Sequence, residues 1–173
     1  GHPTLLQFLA TEGKGFPCLR ETVCVLVAAG GDATEALVGA ASVNHLDAAE
    51  ALLDAGAAVD GDGKWSPLEE ALYWGHGAMA ELLLARGAAV SHLRTAAGLG
   101  RLEVIRSFFD AAGVLKPEAG GLAWPFGDGT GHAGSVGAWL QQNRAQWDTS
   151  SQGVVNHALL YACINGRMEA VRL

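Results

Sequence analysis

The sequence is short of charge, of aromatic rings and of cysteine, and each shortage closes off a class of protein. Only 17% of its 173 residues are charged, and the basic ones are the minority, 11 Lys and Arg against 18 Asp and Glu. A formal charge of −7 and a pI near 5.2 argue against nucleic acid or an anionic membrane surface as the main partner, since both attract a cationic face. No uninterrupted apolar run approaches the ~20 residues that cross a bilayer, and no charged-then-apolar leader is seen. Neither a membrane span nor a signal segment is therefore expected. Three cysteines, Cys18, Cys24 and Cys163, are an odd number without metal-ligand spacing, which suits reduced thiols in a cytoplasmic, intracellular protein. Half of the chain is nevertheless hydrophobic, and the mean hydropathy of +0.21 excludes an intrinsically disordered polymer.

What is abundant is small. Much of the hydrophobic count is alanine, and glycine reaches 24. Such a composition points to short, closely packed helices joined by tight turns. Laid over itself, the chain repeats: Ala36 to Val59 falls on Pro67 to Val90, from Ala40-Ala41-Ser42-Val43-Asn44-His45 on Ala71-Leu72-Tyr73-Trp74-Gly75-His76 through to the closing Gly-Ala. A third copy runs from His92 to Phe109, and a fourth from Ala158 to Leu173. Each copy predicts two helices. In the clearest, the first spans about Ser66 to Trp74 with Pro67 at its opening position, where a missing N–H costs nothing. The second runs from about Gly77 to Arg86, with Met79, Leu82 and Leu83 on one buried stripe and Gly87 as its stop. Leu82 and Leu83 are the expected core of this pair. Isolated helices shorter than roughly 12–15 residues barely form in water, so each pair must lean on its neighbours. That is a stacked solenoid.

Ser66-Pro67-Leu68-Glu69-Glu70-Ala71, then Gly75-His76, then Glu81-Leu82-Leu83-Leu84-Ala85-Arg86-Gly87-Ala88 resembles the ankyrin repeat. That family's pattern sets T-P-L-H-x-A before a Gly-His turn, then an apolar helix and a closing Gly-Ala. The resemblance covers about two thirds of the chain, with two departures. Glu69 stands where the family usually has histidine, and the finger between Val90 and His92 is cut almost to nothing. The fold expected is an all-α, ankyrin-type helix-turn-helix solenoid of about five units in a single domain, 1–173. The units are about 2–31 (degenerate), 34–60, 61–90, 91–116 and 154–173 (truncated), with a long insertion at 117–153. Because the sequence stops in the first turns of an outer helix, it is expected to be part of a longer array. The insertion holds Trp124, Trp139 and Trp147, and its Val136, Trp139, Leu140, Asn143 and Trp147 recur at helical spacing after Ser135, which predicts one extra amphipathic helix.

Catalytic patterns fare poorly. Gly129-Thr130-Gly131-His132-Ala133-Gly134 matches G-x-G-x-x-G, but Pro125 spoils the strand that should precede it and no βαβ context surrounds it, so it is read as a loop. His45 and His76 sit in successive Gly-His turns, where the resemblance implies hydrogen bonds to backbone between units. No histidine or cysteine has metal-ligand spacing, and no nucleophile elbow is present. Cys163 matches Ala41, Leu72 and Ala97 in the repeat and is expected to be a small core residue. Glu69 and Glu70 are adjacent on a helix, point apart, and are expected to be solvated. No enzyme, no cofactor, no metal and no small-molecule substrate is implied.

What remains is surface. The ankyrin resemblance implies that the last residues of each inner helix face a concave groove. Carried over, these include Val43, Tyr73, Trp74, Leu99 and Ile164, with Trp65 on the finger. An apolar row of this kind facing water is unusually large, and Tyr and Trp are typical anchors of protein interfaces. Asp60, Asp62, Glu69 and Glu70 would lie at the rim and select a basic protein. The resemblance thus implies a non-catalytic protein–protein interaction module, binding an unidentified, possibly basic partner through Trp65, Tyr73, Trp74, Val43, Leu99, Ile164 and Glu70. The alternative is a structural segment that positions a domain beyond the C-terminus while the insertion covers the groove.

Overall fold

Local sequence sets where each helix starts. In the computed structural model, which describes residues 4–62, 66–116, 119, 142, 148 and 150–173, Thr4 opens α1 (Leu5–Glu12) through a reciprocal capping box with Gln7. Asp32 opens α3 (Ala33–Ser42) by accepting from the Thr34 and Glu35 N–H groups at 3.0 and 2.9 Å. Ser66 and Pro67 open α5 (Pro67–Tyr73), as their types predict. Between them lie the outer helices α2 (Leu19–Ala28) and α4 (Leu46–Asp54), and α6 (Gly77–Ala85) follows. These six helices form one compact unit, residues 1–89.

A second unit, residues 90–173, holds α7 (Leu93–Leu99), α8 (Leu102–Ser107), α9 (Ser151–Ile164) and α10 (Met168–Val171). Among the described residues every regular element is helical; the sole β feature is one antiparallel bridge, Phe109 to Leu115.

One turn recurs at four of the five handovers from an inner helix to its outer partner among the described residues. Asn44, Gly75, Gly100 and Gly166 take positive φ of 56°, 72°, 69° and 66°. Only this left-handed step lets the next N–H, on His45, His76, Arg101 and Arg167, close back to the carbonyls of Ala40, Ala71, Ala96 and Ala162 at 2.8–2.9 Å. Three glycines and an asparagine are the residues that tolerate it.

Burial follows the same register. Leu6, Leu9 and Ala10, then Leu37, Ala40 and Ala41, then Leu68, Ala71 and Leu72 are buried at i, i+3 and i+4, and the three sets lie 31 residues apart. α1 packs on α3 and α3 on α5, while α2 packs on α4. Each such leucine contributes about 1.5–3 kcal/mol of apolar burial, which helices of seven to ten residues need from outside themselves. In α6 the buried stripe is Met79, Ala80 and Leu83; Leu82, expected in the core, is only partly covered because it lies one position, about 100° of helix turn, away from Leu83.

The second unit keeps the grammar with different lengths. Its core joins Leu93, Ala96, Ala97 and Ile105 to Val154, Ala158 and Ala162. α9 thus packs directly along α7, and α10 meets α8. The helix expected from Ala158 starts earlier, at Ser151, where the Ser150 hydroxyl accepts from the Gly153 N–H at 3.1 Å. Gly153 is demanded by proximity, since a Cβ there would lie 2.2 Å from the Asp148 carbonyl oxygen. Beyond α8 the chain reverses tightly: the Asp110 carboxylate accepts from the N–H groups of Ala112 and Val114, and the Lys116 ammonium donates to the Ser107 carbonyl. The G-x-G-x-x-G stretch at 129–134 and the helix expected over Ser135 to Trp147 lie outside the described residues.

Candidate functional site

Among the described residues the end of α5 presents an organised, exposed aromatic group. Trp74 follows the last turn of α5 and leaves over half of its surface, 55%, open to water. It is nonetheless fixed on two sides. Its indole Nε1 donates to a Glu70 carboxylate oxygen at 2.7 Å, one helical turn earlier, and its ring meets Tyr73 edge to face, with centroids 5.2 Å apart and planes at 87°. Glu69 and Glu70 are both buried at 8% exposure, which corrects the expectation of solvated rim carboxylates. On a helix packed between neighbours even the polar face is covered, and Glu70 serves to hold the indole. Asp60, also expected at the rim, accepts from the Ala89 N–H at 2.8 Å. Trp65 lies outside the described residues.

Val43 ends α3 and is partly buried, and its carbonyl accepts from the Lys14 ammonium at 3.1 Å. Lys14 belongs to the connection between α1 and α2, whose extra length was the only sequence signal for this contact. In the second unit Leu99 is partly buried at the end of α7, and Ile164, closing α9, is 40% exposed. The structure therefore places Tyr73, Trp74 and Glu70 together and Val43 on the neighbouring helix α3, all in the first unit. Leu99 and Ile164 belong to the second.

The turn histidines work on backbone. His45, buried at 3% exposure, donates from Nδ1 to the Ala10 carbonyl, and His76 from Nε2 to the Ser42 carbonyl, each at 3.0 Å and each on the preceding inner helix. The second unit does the same with another residue type. Arg167, in register with the histidines, donates from Nε to the Gly98 carbonyl at 3.3 Å, and Gly98 is in register with Ser42. Reading for histidine alone misses it, although the repeat register points to the position.

Charge is uneven. Residues 1–89 hold twelve acidic and four basic residues, a balance of −8, whereas residues 90–173 hold six and seven, a balance of +1. On the outer face Asp54 receives both Arg86 and Arg20, and Arg20 also reaches Glu50. The hydrogen bond from Arg86, ahead of that from Arg20, holds the Asp54 carboxyl below the usual range. In the second unit burial pushes His157 down, with Arg94 adding to the effect and Asp148 opposing it. Cys18, Cys24 and Cys163 are free and exposed. For Cys163 this corrects the expected core placement: Ala41 and Ala97, at the same register, lie under α5 and α9 respectively, and among the described residues no helix covers Cys163.

No curated protein matches the chain. A family model described as ankyrin repeats (3 copies) matches residues 1–94, more than half of the sequence and all six helices of the first unit. The repeated left-handed turn, the inter-helix histidine bonds and this match agree, and the chain belongs to the ankyrin-repeat family.

Proposed function

We propose that the chain is a non-catalytic protein-binding module of about five such helix pairs, gripping a basic partner through its inner-helix ends. Ankyrin repeats generally serve in protein–protein interaction. The observation that carries the reading is Trp74: a ring more than half exposed yet held by Glu70 and Tyr73 loses little freedom when a partner covers it. Tyr73 and Trp74 are the hot spot, with Val43, at the end of the neighbouring helix α3, and Trp65 as further contacts in the sequence of the first unit. Leu99 and Ile164 are the corresponding contacts of the second unit. The balance of −8 over residues 1–89 favours a basic partner by steering and selection. Exposed free thiols suit a reducing compartment.

The test replaces Trp74 by alanine and measures affinity for a partner recovered on the native chain and identified by mass spectrometry. Loss of a hot-spot ring costs about 2 kcal/mol or more, so affinity should fall about 30-fold with little change in Tm. Unchanged affinity, or a collapse of Tm that makes the ring a core element, would overturn the reading.

A further inference from the structure

The repeat register sets one pair of positions, four residues apart on each inner helix, whose side chains can meet across a helical turn. In the five copies the pair reads Phe8 and Glu12, Gly39 and Val43, Glu70 and Trp74, Thr95 and Leu99, Tyr161 and Asn165. A carboxylate and an indole share these positions in one copy alone. The other inner helices form without such a pair, so the bond between Glu70 and Trp74 is no requirement of the repeat itself.

That bond decides what the ring still offers. The indole has one polar group, its N–H, and the Glu70 carboxylate accepts it at 2.7 Å. Tyr73 meets the ring edge to face, an arrangement that covers one face of the indole at most. With 55% of Trp74 open to water, a face of the ring is what remains for a partner. The face of an aromatic ring is the negative side of its quadrupole, and among side chains the Trp face is the best receiver of a cation. A carboxylate hydrogen-bonded at the ring's edge adds its own attraction for a positive charge placed on that face.

The surroundings supply acid, and their cations are engaged elsewhere. Residues 1–89 carry a balance of −8. Of their four basic residues, Arg20 and Arg86 are held at Asp54 on the outer face, and Lys14 donates to the Val43 carbonyl. The fourth, Lys64, lies outside the described residues. On the reading of Trp74 as an interface anchor, on which this step rests, we infer that the open indole face is an arginine subsite. A guanidinium of the partner lies flat on the ring, drawn in by the acidic field of the unit. Guanidinium is favoured over ammonium because it is planar, stacks on aromatic faces and is more weakly hydrated.

The test titrates the intact chain with blocked hexaarginine, hexalysine and hexacitrulline peptides, citrulline having the shape of arginine without its charge. Hexaarginine should bind more tightly than hexalysine, which carries the same charge, and hexacitrulline should bind far more weakly than either. The Trp74 indole N–H proton resonance, identified by its absence in Trp74→Phe, should move as hexaarginine is added to the native chain. Trp74→Leu keeps an apolar side chain and removes the ring face, so hexaarginine affinity should fall about 3- to 30-fold and the two basic peptides should then bind alike. Trp74→Phe, with a weaker face, should lose less. Equal affinities of the native chain for hexaarginine and hexalysine overturn the inference. So does an arginine preference that survives Trp74→Leu, a hexacitrulline that binds as well as hexaarginine, or an indole resonance that stays still. The same variants applied to a recovered partner separate this step from the reading beneath it. Affinity lost in Trp74→Ala and restored in Trp74→Leu makes the ring an apolar anchor: the hot spot stands and the arginine subsite falls. Affinity untouched by Trp74→Ala overturns both.

Discussion

The two compact units use the same inner-helix grammar and differ in everything attached to it. In residues 1–89 the three outer helices run nine to ten residues, and each is followed by a left-handed glycine, Gly30, Gly56 or Gly87, with φ of 94–96°. In residues 90–173 the outer helix α8 shrinks to six residues and ends in a tight reversal, and an inner helix lengthens to fourteen. The apolar cluster of the second unit is nevertheless continuous from Leu93 to Ala162. Stacking of inner helices is therefore the conserved part of the design, and the outer helix is an adjustable strut. The same contrast explains how a pair some forty residues further along the sequence still docks on the pair before it: the docking surface is read locally, by apolar residues at i, i+3 and i+4.

The sharpest way to break this comparison is to truncate the same register position in both units. Leu37→Ala removes a fully buried side chain and should cost about 2–5 kcal/mol, whereas Leu159→Ala, at the equivalent exposed site, should stay within about 0.5 kcal/mol in dilute protein. Chemical denaturation reads both; equal effects would mean that register does not decide burial here.

A smaller effect separates the units by pH. His157 is held below the ordinary histidine value of 6.5 by burial and by Arg94, so the unfolded chain binds the proton first and folding loses stability as pH falls through 6.5. The protection factors of amides in α7 and α9, taken relative to the intrinsic exchange rate at each pH, should fall between neutral and mildly acid pH while those in α3 and α5 hold. His157→Gln should remove that fall, and its persistence would assign the effect to another group.

The smallest effect belongs to the outer face of the first unit. Asp54 is held below the usual 3.8 by Arg86 and Arg20, so its contribution is present above that value and fades as the pH falls through its depressed folded-state pKa. The group is exposed, and the ion pairs are salt-screened. Asp54→Asn should lower Tm slightly at neutral pH and low salt, and the difference should vanish in high salt or in acid. A difference that survives both would show that the aspartate acts through packing.

Several features were open to reading from the residues alone. Pro67 after Ser66, the left-handed step at Gly75 and the stop at Gly87 are local chemistry and appear where their residue types require them. The role of His45 and His76 followed from register within the resemblance, and Arg167 was missed only because its chemistry differs while its position does not. For the candidate site, Tyr73 and Trp74 were identifiable by position, but the Glu70 bond that orients the indole was not, because a carboxylate on a helix gives no hint of what will cover it.

Periodicity, turn residues and composition, all properties of neighbours along the chain, by themselves determined that this protein is a series of short paired helices with small residues at their contacts. Whether a given face is covered is a property of neighbours in space, and tertiary structure alone decided it: Glu69 and Glu70 buried, Leu82 partly covered, Cys163 and Leu159 exposed, and α9 resting on α7. A helical repeat states which side of each rod is apolar; only the presence or absence of the next rod determines whether that side becomes core or surface.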